Sequence, residues 1–336
     1  MQLPAHRDIS GQSAEGAPPV FRPVEHHLDE VRELIAQQLN ATATDGDIQG
    51  LLEHVSFQSG KMIRPGLLLL ASACCGKITD KHIRVAAIVE MIHNATLLHD
   101  DVIDEGQKRR GRPTINSLRG NELAVLVGDF LLSRVFRMCS ELEPQAAKVI
   151  AEATIRVCEG ELRQVVQRRN WRLSEPEYID IITDKSAALF SSCCRLGALL
   201  SQADKLQVRL LAEFGLNAGI AFQITDDLLD IVGDEGETGK TLGSDADKNK
   251  PTLATIHLLR NAGAEQREII EGWLADPVNS RARLLDMLDS HGSLEYSRRR
   301  AREYAAGAIE SLSRLAESDA RDALVETAHF ILRRAG

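Results

Sequence analysis

The chain has 336 residues, 43% hydrophobic and 26% charged, a balance that suits a globular protein and excludes a disordered one. With 40 basic residues against 49 acidic, the net charge is −9, which argues against general nucleic-acid binding because neutralising phosphates needs a basic surface. Aromatic residues make up only 4%, and long proline-poor stretches rich in Ala and Leu favour helices over sheets.

Residues 1–23 are polar and carry Pro4, Pro18, Pro19 and Pro23, so they read as a mobile N-terminal arm ahead of a folded domain over residues 24–336. The arm lacks the apolar core of a signal peptide. From about His27 the helical period begins, with Val31, Leu34, Ile35 and Leu39 on one stripe and Leu51, Leu52 and Val55 on a shorter one. Pro65 falls near a helix start, where proline is tolerated. The pattern then predicts helices over 81–104, 117–141, 145–169, 176–201 and 205–232, with several shorter ones from 251 onward. Breakers separate them at Gly111 to Pro113, at Pro144, at Ser174 to Pro176, and between Gly233 and Pro251. Strand alternation is absent. Several central helices are apolar nearly all round, which requires other helices around them. The expected fold is all-α, a single large helical bundle with a central cavity. The longest apolar run, residues 67–75, is about half of what a membrane span requires. Cys74, Cys75, Cys139, Cys158, Cys193 and Cys194 have no CxxC spacing and lie in helical text, so they read as reduced thiols of a cytoplasmic protein.

Two segments carry the chemistry. Asp100, Asp101 and Asp104 form D-D-x-x-D at the end of one apolar helix, and Asp226, Asp227 and Asp230 repeat it at the end of another. Carboxylates four residues apart share one helix face, about 6 Å apart along the axis. A helix C-terminus is the unfavourable end for negative charge, so two such clusters need a compensating cation. Oxygen ligands that leave several positions open suit Mg²⁺ bridging to substrate phosphates, and two facing clusters would clamp a diphosphate. No Cys/His cluster has zinc spacing. Basic residues flank the acids: Arg109 and Arg110 follow the first cluster, Lys61 and Arg64 lie near a helix start, and Lys185, Lys240 and Lys250 are further candidates for phosphate oxygens.

The text from Leu97 to Thr114, with its trailing Arg109, Arg110 and Gly111, resembles the first aspartate-rich motif of the trans-isoprenyl diphosphate synthases, or polyprenyl synthetases. Phe222 to Asp230 resembles the second motif, and Gly239-Lys240 and Lys250-Pro251-Thr252 resemble its continuation. The resemblance runs from about residue 30 to the end. It departs at Ser59, Ser186 and Thr241, where glycine, threonine and proline are usual. It implies a Mg²⁺-dependent prenyltransferase that joins isopentenyl diphosphate head to tail onto an allylic diphosphate. In that reading the six aspartates hold Mg²⁺ on the allylic diphosphate, with Asp100, Asp104 and Asp226 as metal ligands. Arg109, Lys185, Gln223 and Lys240 contact the same substrate, and Lys61, Arg64, His93 and Arg110 bind the diphosphate of isopentenyl diphosphate. The resemblance also implies a homodimer.

Product length should depend on residues four and five positions before Asp100. Thr96 and Ala95 are small, where the resembling short-chain enzymes often carry a large aromatic, and local wording such as Ala95 to His99 is similar to the long-chain quinone-tail synthases. The expected product is therefore a medium or long all-trans polyprenyl diphosphate, with growth stopped deeper at Leu131, Leu132 or Phe136. The alternatives are a short-chain farnesyl or geranylgeranyl diphosphate synthase, or the catalytic subunit of a two-chain synthase. A terpene cyclase would not need the second cationic pocket, and a helical scaffold would leave both acidic clusters unexplained.

Overall fold

In a computed structural model of the chain, the described residues are 17–40, 46–57, 60–109, 111–232 and 249–334. They are almost entirely helical. A 3₁₀ turn, Pro19–Val24, leads into α1 (Glu25–Asn40), α2 (Gly46–Phe57), α3 (Ile63–Cys75) and α4 (Asp80–Ile103). A two-stranded antiparallel hairpin follows, β1 (Lys108–Arg109) with β2 (Arg112–Pro113). Then come α5 (Ile115–Arg119), α6 (Asn121–Cys139), α7 (Pro144–Val166) and α8 (Glu175–Ile182). A π-helical turn, Thr183–Ala187, joins α8 to α9 (Ala188–Leu200), which is followed by α10 (Lys205–Val232). The C-terminal part comprises α11 (Leu253–Asn261), α12 (Ala264–Ala275), α13 (Pro277–Ser290), α14 (Ser293–Ser311) and α15 (Asp319–Arg333).

The helix ends follow local chemistry. Thr79 and His82 form a capping box at the start of α4, and Ser174 with Glu177 does the same for α8. Pro144 opens α7 at a position where its missing N–H is harmless. The span expected as one helix over 176–201 is instead α8, the π turn and α9, and the span expected over 117–141 is split at Gly120, whose φ of +88° breaks it. The small hairpin after α4 is the other departure from an all-helical reading.

The folded chain also starts earlier than the prolines suggest. Val20, Phe21 and Val24 are buried, and Phe21 is completely so. Residues 17–23 are therefore packed against the bundle and are not part of a mobile arm, because three apolar side chains outweigh the proline content. Residues 1–16 lie outside the described residues, as does most of the expected breaker after α10.

α10 organises the interior. Leu211, Phe214, Ala218 and Ala221 join a large apolar cluster with α3, α4, α6 and α9. Ile220, Ile224 and Leu228 join a second cluster with α8 and α11–α14. No helix among the described residues is long and apolar enough to cross a membrane.

Candidate active site

α4 is buried almost throughout, but His93, Thr96, Leu97 and Asp100 are only half-buried. Their spacing of three and four puts them on one face, which opens away from the core. The Asp100 carboxylate makes no hydrogen bond or ion pair with the other described residues. Burial pushes its carboxyl up to about 6; Lys185 and Arg109 pull it down, while Glu161 and Asp104 push it up.

Its neighbours are paired. Asp101 is buried and accepts from Arg109 Nε at 3.0 Å and Nη2 at 2.6 Å. The hairpin makes this possible by folding back on the end of α4, where Asn116 Nδ2 donates to the Asp101 carbonyl at 3.1 Å. Asp104 caps α4 and accepts from Arg168 Nη2 at 2.7 Å and Lys250 Nζ at 2.8 Å.

On α10, Asp226 pairs with Arg334 Nη2 at 3.2 Å. Asp227 is buried, with one oxygen taking the Tyr178 hydroxyl at 2.6 Å and the other Gln223 Nε2 at 2.7 Å. Gln223 in turn accepts from Ser186 Oγ at 2.5 Å, so its amide has one orientation. Asp230 lines a small cavity with Lys250 and Arg281. Arg109 lies within electrostatic reach of both clusters. Burial opposes the Arg109 charge, but Asp101 together with Asp100 from the first cluster and Asp226 from the second holds it above its ordinary range.

The remaining cations fall into two groups. Lys185, on the π turn, reaches Glu161 Oε2 at 2.6 Å and Gln164 Oε1 at 2.5 Å. Lys61 is half-buried just before α3. Arg64, in the first turn of α3, lies 5.0 Å from the Phe190 ring centroid. Phe190 contacts Phe222 at 5.2 Å, and Arg334 covers Phe222 at 4.7 Å, so two arginines bracket a pair of rings. Arg334 Nη1 is a buried nitrogen without a hydrogen-bond partner among the described residues. Arg110 and Lys240 lie outside the described residues.

Sequence reading missed Tyr178, Glu161, Gln164, Arg168 and Arg334. Arg334 stands 108 residues from Asp226, and nothing in its local text marks it. One other expectation needs correction. Phe136 is 70% exposed on α6 and cannot end an interior cavity, whereas Leu131 is buried. Ala95 is fully buried, and Thr96 is half-buried on the face that carries Asp100.

A divalent cation fits these residues. The donors are carboxylate oxygens, which suit a hard ion, and Asp100 is a half-buried acid whose carboxyl burial pushes up. Among the described residues, no group of three or more His, Cys, Asp or Glu side chains is placed to hold a metal ion by itself.

Residues 46–289 match the sequence profile of the family described as polyprenyl synthetase. The chain belongs to the polyprenyl synthetase family. It is 35% identical over 322 residues to the octaprenyl diphosphate synthase of Escherichia coli (strain K12), covering 92% of this chain and 99% of that one. It is 33% identical over 316 residues to a short chain isoprenyl diphosphate synthase of Methanothermobacter thermautotrophicus, covering 91% and 97%. The crystal structure of a polyprenyl synthase from Caulobacter crescentus CB15, complexed with calcium and isoprenyl diphosphate, superposes with a TM-score of 0.90 at 32% identity, covering 97% of this chain and all of that one. Family members named for long and for short products therefore match the chain about equally well.

Proposed function

We propose that this polyprenyl synthetase condenses isopentenyl diphosphate onto an allylic diphosphate to make a medium or long all-trans polyprenyl diphosphate. The observation that carries the reading is the pair of aspartate clusters, both within electrostatic reach of Arg109, with further cations beside them. Mg²⁺, held by Asp100, Asp104 and Asp226, would neutralise and orient the allylic diphosphate. Asp101 and Asp227, whose oxygens are already engaged, hold Arg109 and Gln223 in place. Arg109, Gln223 and Lys185, with Lys240, stabilise the negative charge that grows on the leaving diphosphate as its C–O bond breaks. Lys61, Arg64 and His93, with Arg110, fix the diphosphate of isopentenyl diphosphate, so that its double bond attacks the allylic carbon and a proton is lost. The apolar interior keeps water from the allylic cation.

The stretch of α4 running from Asp100 back past Thr96 is the path we assign to the growing tail. Thr96→Phe is expected to shorten the product by one or more isoprene units, since one helical turn spans about 5.4 Å. Sizing the dephosphorylated alcohols checks this, and an unchanged ladder would remove Thr96 from the path. The primary test of function is the same assay on the purified chain with Mg²⁺, labelled isopentenyl diphosphate and farnesyl diphosphate. Products well beyond four isoprene units are expected. Products of three or four units would make it a short-chain enzyme, and no condensation would point to a required second subunit.

We also assign the folded region, from residue 17 onward, to one catalytic domain that acts as a homodimer. Leu126 and Phe136 on α6 and Ile155, Leu162 and Val166 on α7 are exposed in the single chain, and a second copy would cover them. A reducing cytoplasmic setting fits the thiols: burial pushes Cys74 and Cys193 up to about 12 and Cys75 to about 11, so none is a ready thiolate.

A further inference from the structure

Lys185 lies on the π turn between α8 and α9, a register change that helices commonly make at functional sites. Both flanking helices fit this turn closely. A Cβ at Gly160 of α7 would lie 2.2 Å from the Lys185 backbone nitrogen, and one at Gly219 of α10 would lie 2.6 Å from the Ala187 Cα. Only hydrogens at these two positions let the turn be gripped from both sides.

α7 grips it with side chains as well. Arg156 Nε and Arg163 Nη1 donate to the two oxygens of Asp184, at 2.8 and 2.9 Å. On the next residue, Glu161 and Gln164 of α7 take the Lys185 ammonium between them at 2.6 and 2.5 Å. The side chains of Glu161 and Lys185 are 16% and 18% exposed, so water screens this pair poorly. Asp100 lies within electrostatic reach of both.

The geometry points to Glu161 and Gln164 as positioning residues that hold the Lys185 ammonium in place for the allylic diphosphate before substrate arrives. This rests on the reading of Lys185 as an allylic diphosphate contact. A free lysine side chain has much conformational entropy to lose on binding a phosphate. One already fixed by two acceptors binds without that loss, which is affinity gained by preorganisation. Gln164 adds a fixed acceptor without a second negative charge, so the diphosphate meets less repulsion.

Steady-state kinetics on the full chain with Mg²⁺, geranyl diphosphate and isopentenyl diphosphate test this. Glu161→Ala and Gln164→Ala are each expected to raise KM for geranyl diphosphate about tenfold, the scale of one charge-assisted hydrogen bond. KM for isopentenyl diphosphate should stay unchanged, and Gln164→Glu, which keeps an acceptor but adds a charge, should recover only part of the loss. In the Lys185→Ala background, Glu161→Ala should have no further effect on the allylic KM, because it acts only through that ammonium. Equal shifts in both substrates' KM, or an undiminished Glu161→Ala effect without Lys185, would overturn the assignment. A Lys185→Ala variant with unchanged allylic KM would instead overturn the reading of Lys185 on which the assignment rests.

Discussion

Asp100→Asn is expected to lower Mg²⁺-dependent condensation about a thousandfold while raising the thermal stability of the metal-free chain. Its neighbour should behave in the opposite way: Asp101→Asn is expected to destabilise the fold by about 3 kcal/mol. The difference lies in the partners. Asp100 is half-buried without an ion pair; its carboxyl ionises near 3.8 unfolded and about 6 folded. The folded state therefore loses stability as pH rises across that window, and Asn, which cannot ionise, removes the loss. Asp101 is the buried partner of Arg109, whose side chain is only 17% exposed. Losing the carboxylate leaves a guanidinium buried beside a neutral amide and frees the hairpin that carries it. Thermal melts with and without Mg²⁺, paired with turnover measurements, separate the two variants. Equal loss of melting temperature in both would mean that Asp100 is held by the fold in the same way as Asp101.

Gly160→Ala is expected to destabilise the fold although it adds only one methyl group. Alanine gains up to about 1 kcal/mol over glycine inside a helix. Here that gain is outweighed, because the added Cβ would lie 2.2 Å from the Lys185 nitrogen and 2.7 Å from its Cα. The obstacle is backbone, which cannot rotate aside as a side chain can. A net loss of about 3 kcal/mol is expected as α7 is pushed off the π turn. The same displacement separates Lys185 from Glu161 and Gln164, so the allylic KM should rise by more than the tenfold expected from losing either acceptor. Urea unfolding midpoints and the KM together check this. A variant as stable as the parent would show that the turn does not depend on this contact.

Much of the fold was legible because its information is local. The helical periods placed α4, α7 and α10 to within a few residues, and Pro144 and Ser174 mark real boundaries. The aspartate clusters were legible because one sequence spacing gives one helix face. The π turn was not, since Thr183 to Ala187 reads as ordinary helical text and the wider register depends on glycines in two other helices. Glu161 and Gln164 look like any polar residues on an amphipathic helix until Lys185 is set against them. Arg334 and Arg168 reach the aspartates only through tertiary packing. Phe136 misled for the converse reason: apolar character predicts burial on average, but the face on which a residue lands depends on the packing partner of that helix.

The tie at Asp104 bears on how the molecule assembles. Arg168 and Lys250 reach this one carboxylate from 64 and 146 residues away. Contacts that close such long loops lose chain entropy early and return energy late, whereas α9 and α10 can find each other as neighbours in sequence. The last aspartate of the first cluster is thus fixed only after the flanking helices have docked. During refolding, helical content should recover first and metal-binding competence later, so that a partly folded chain holds no half-formed metal site.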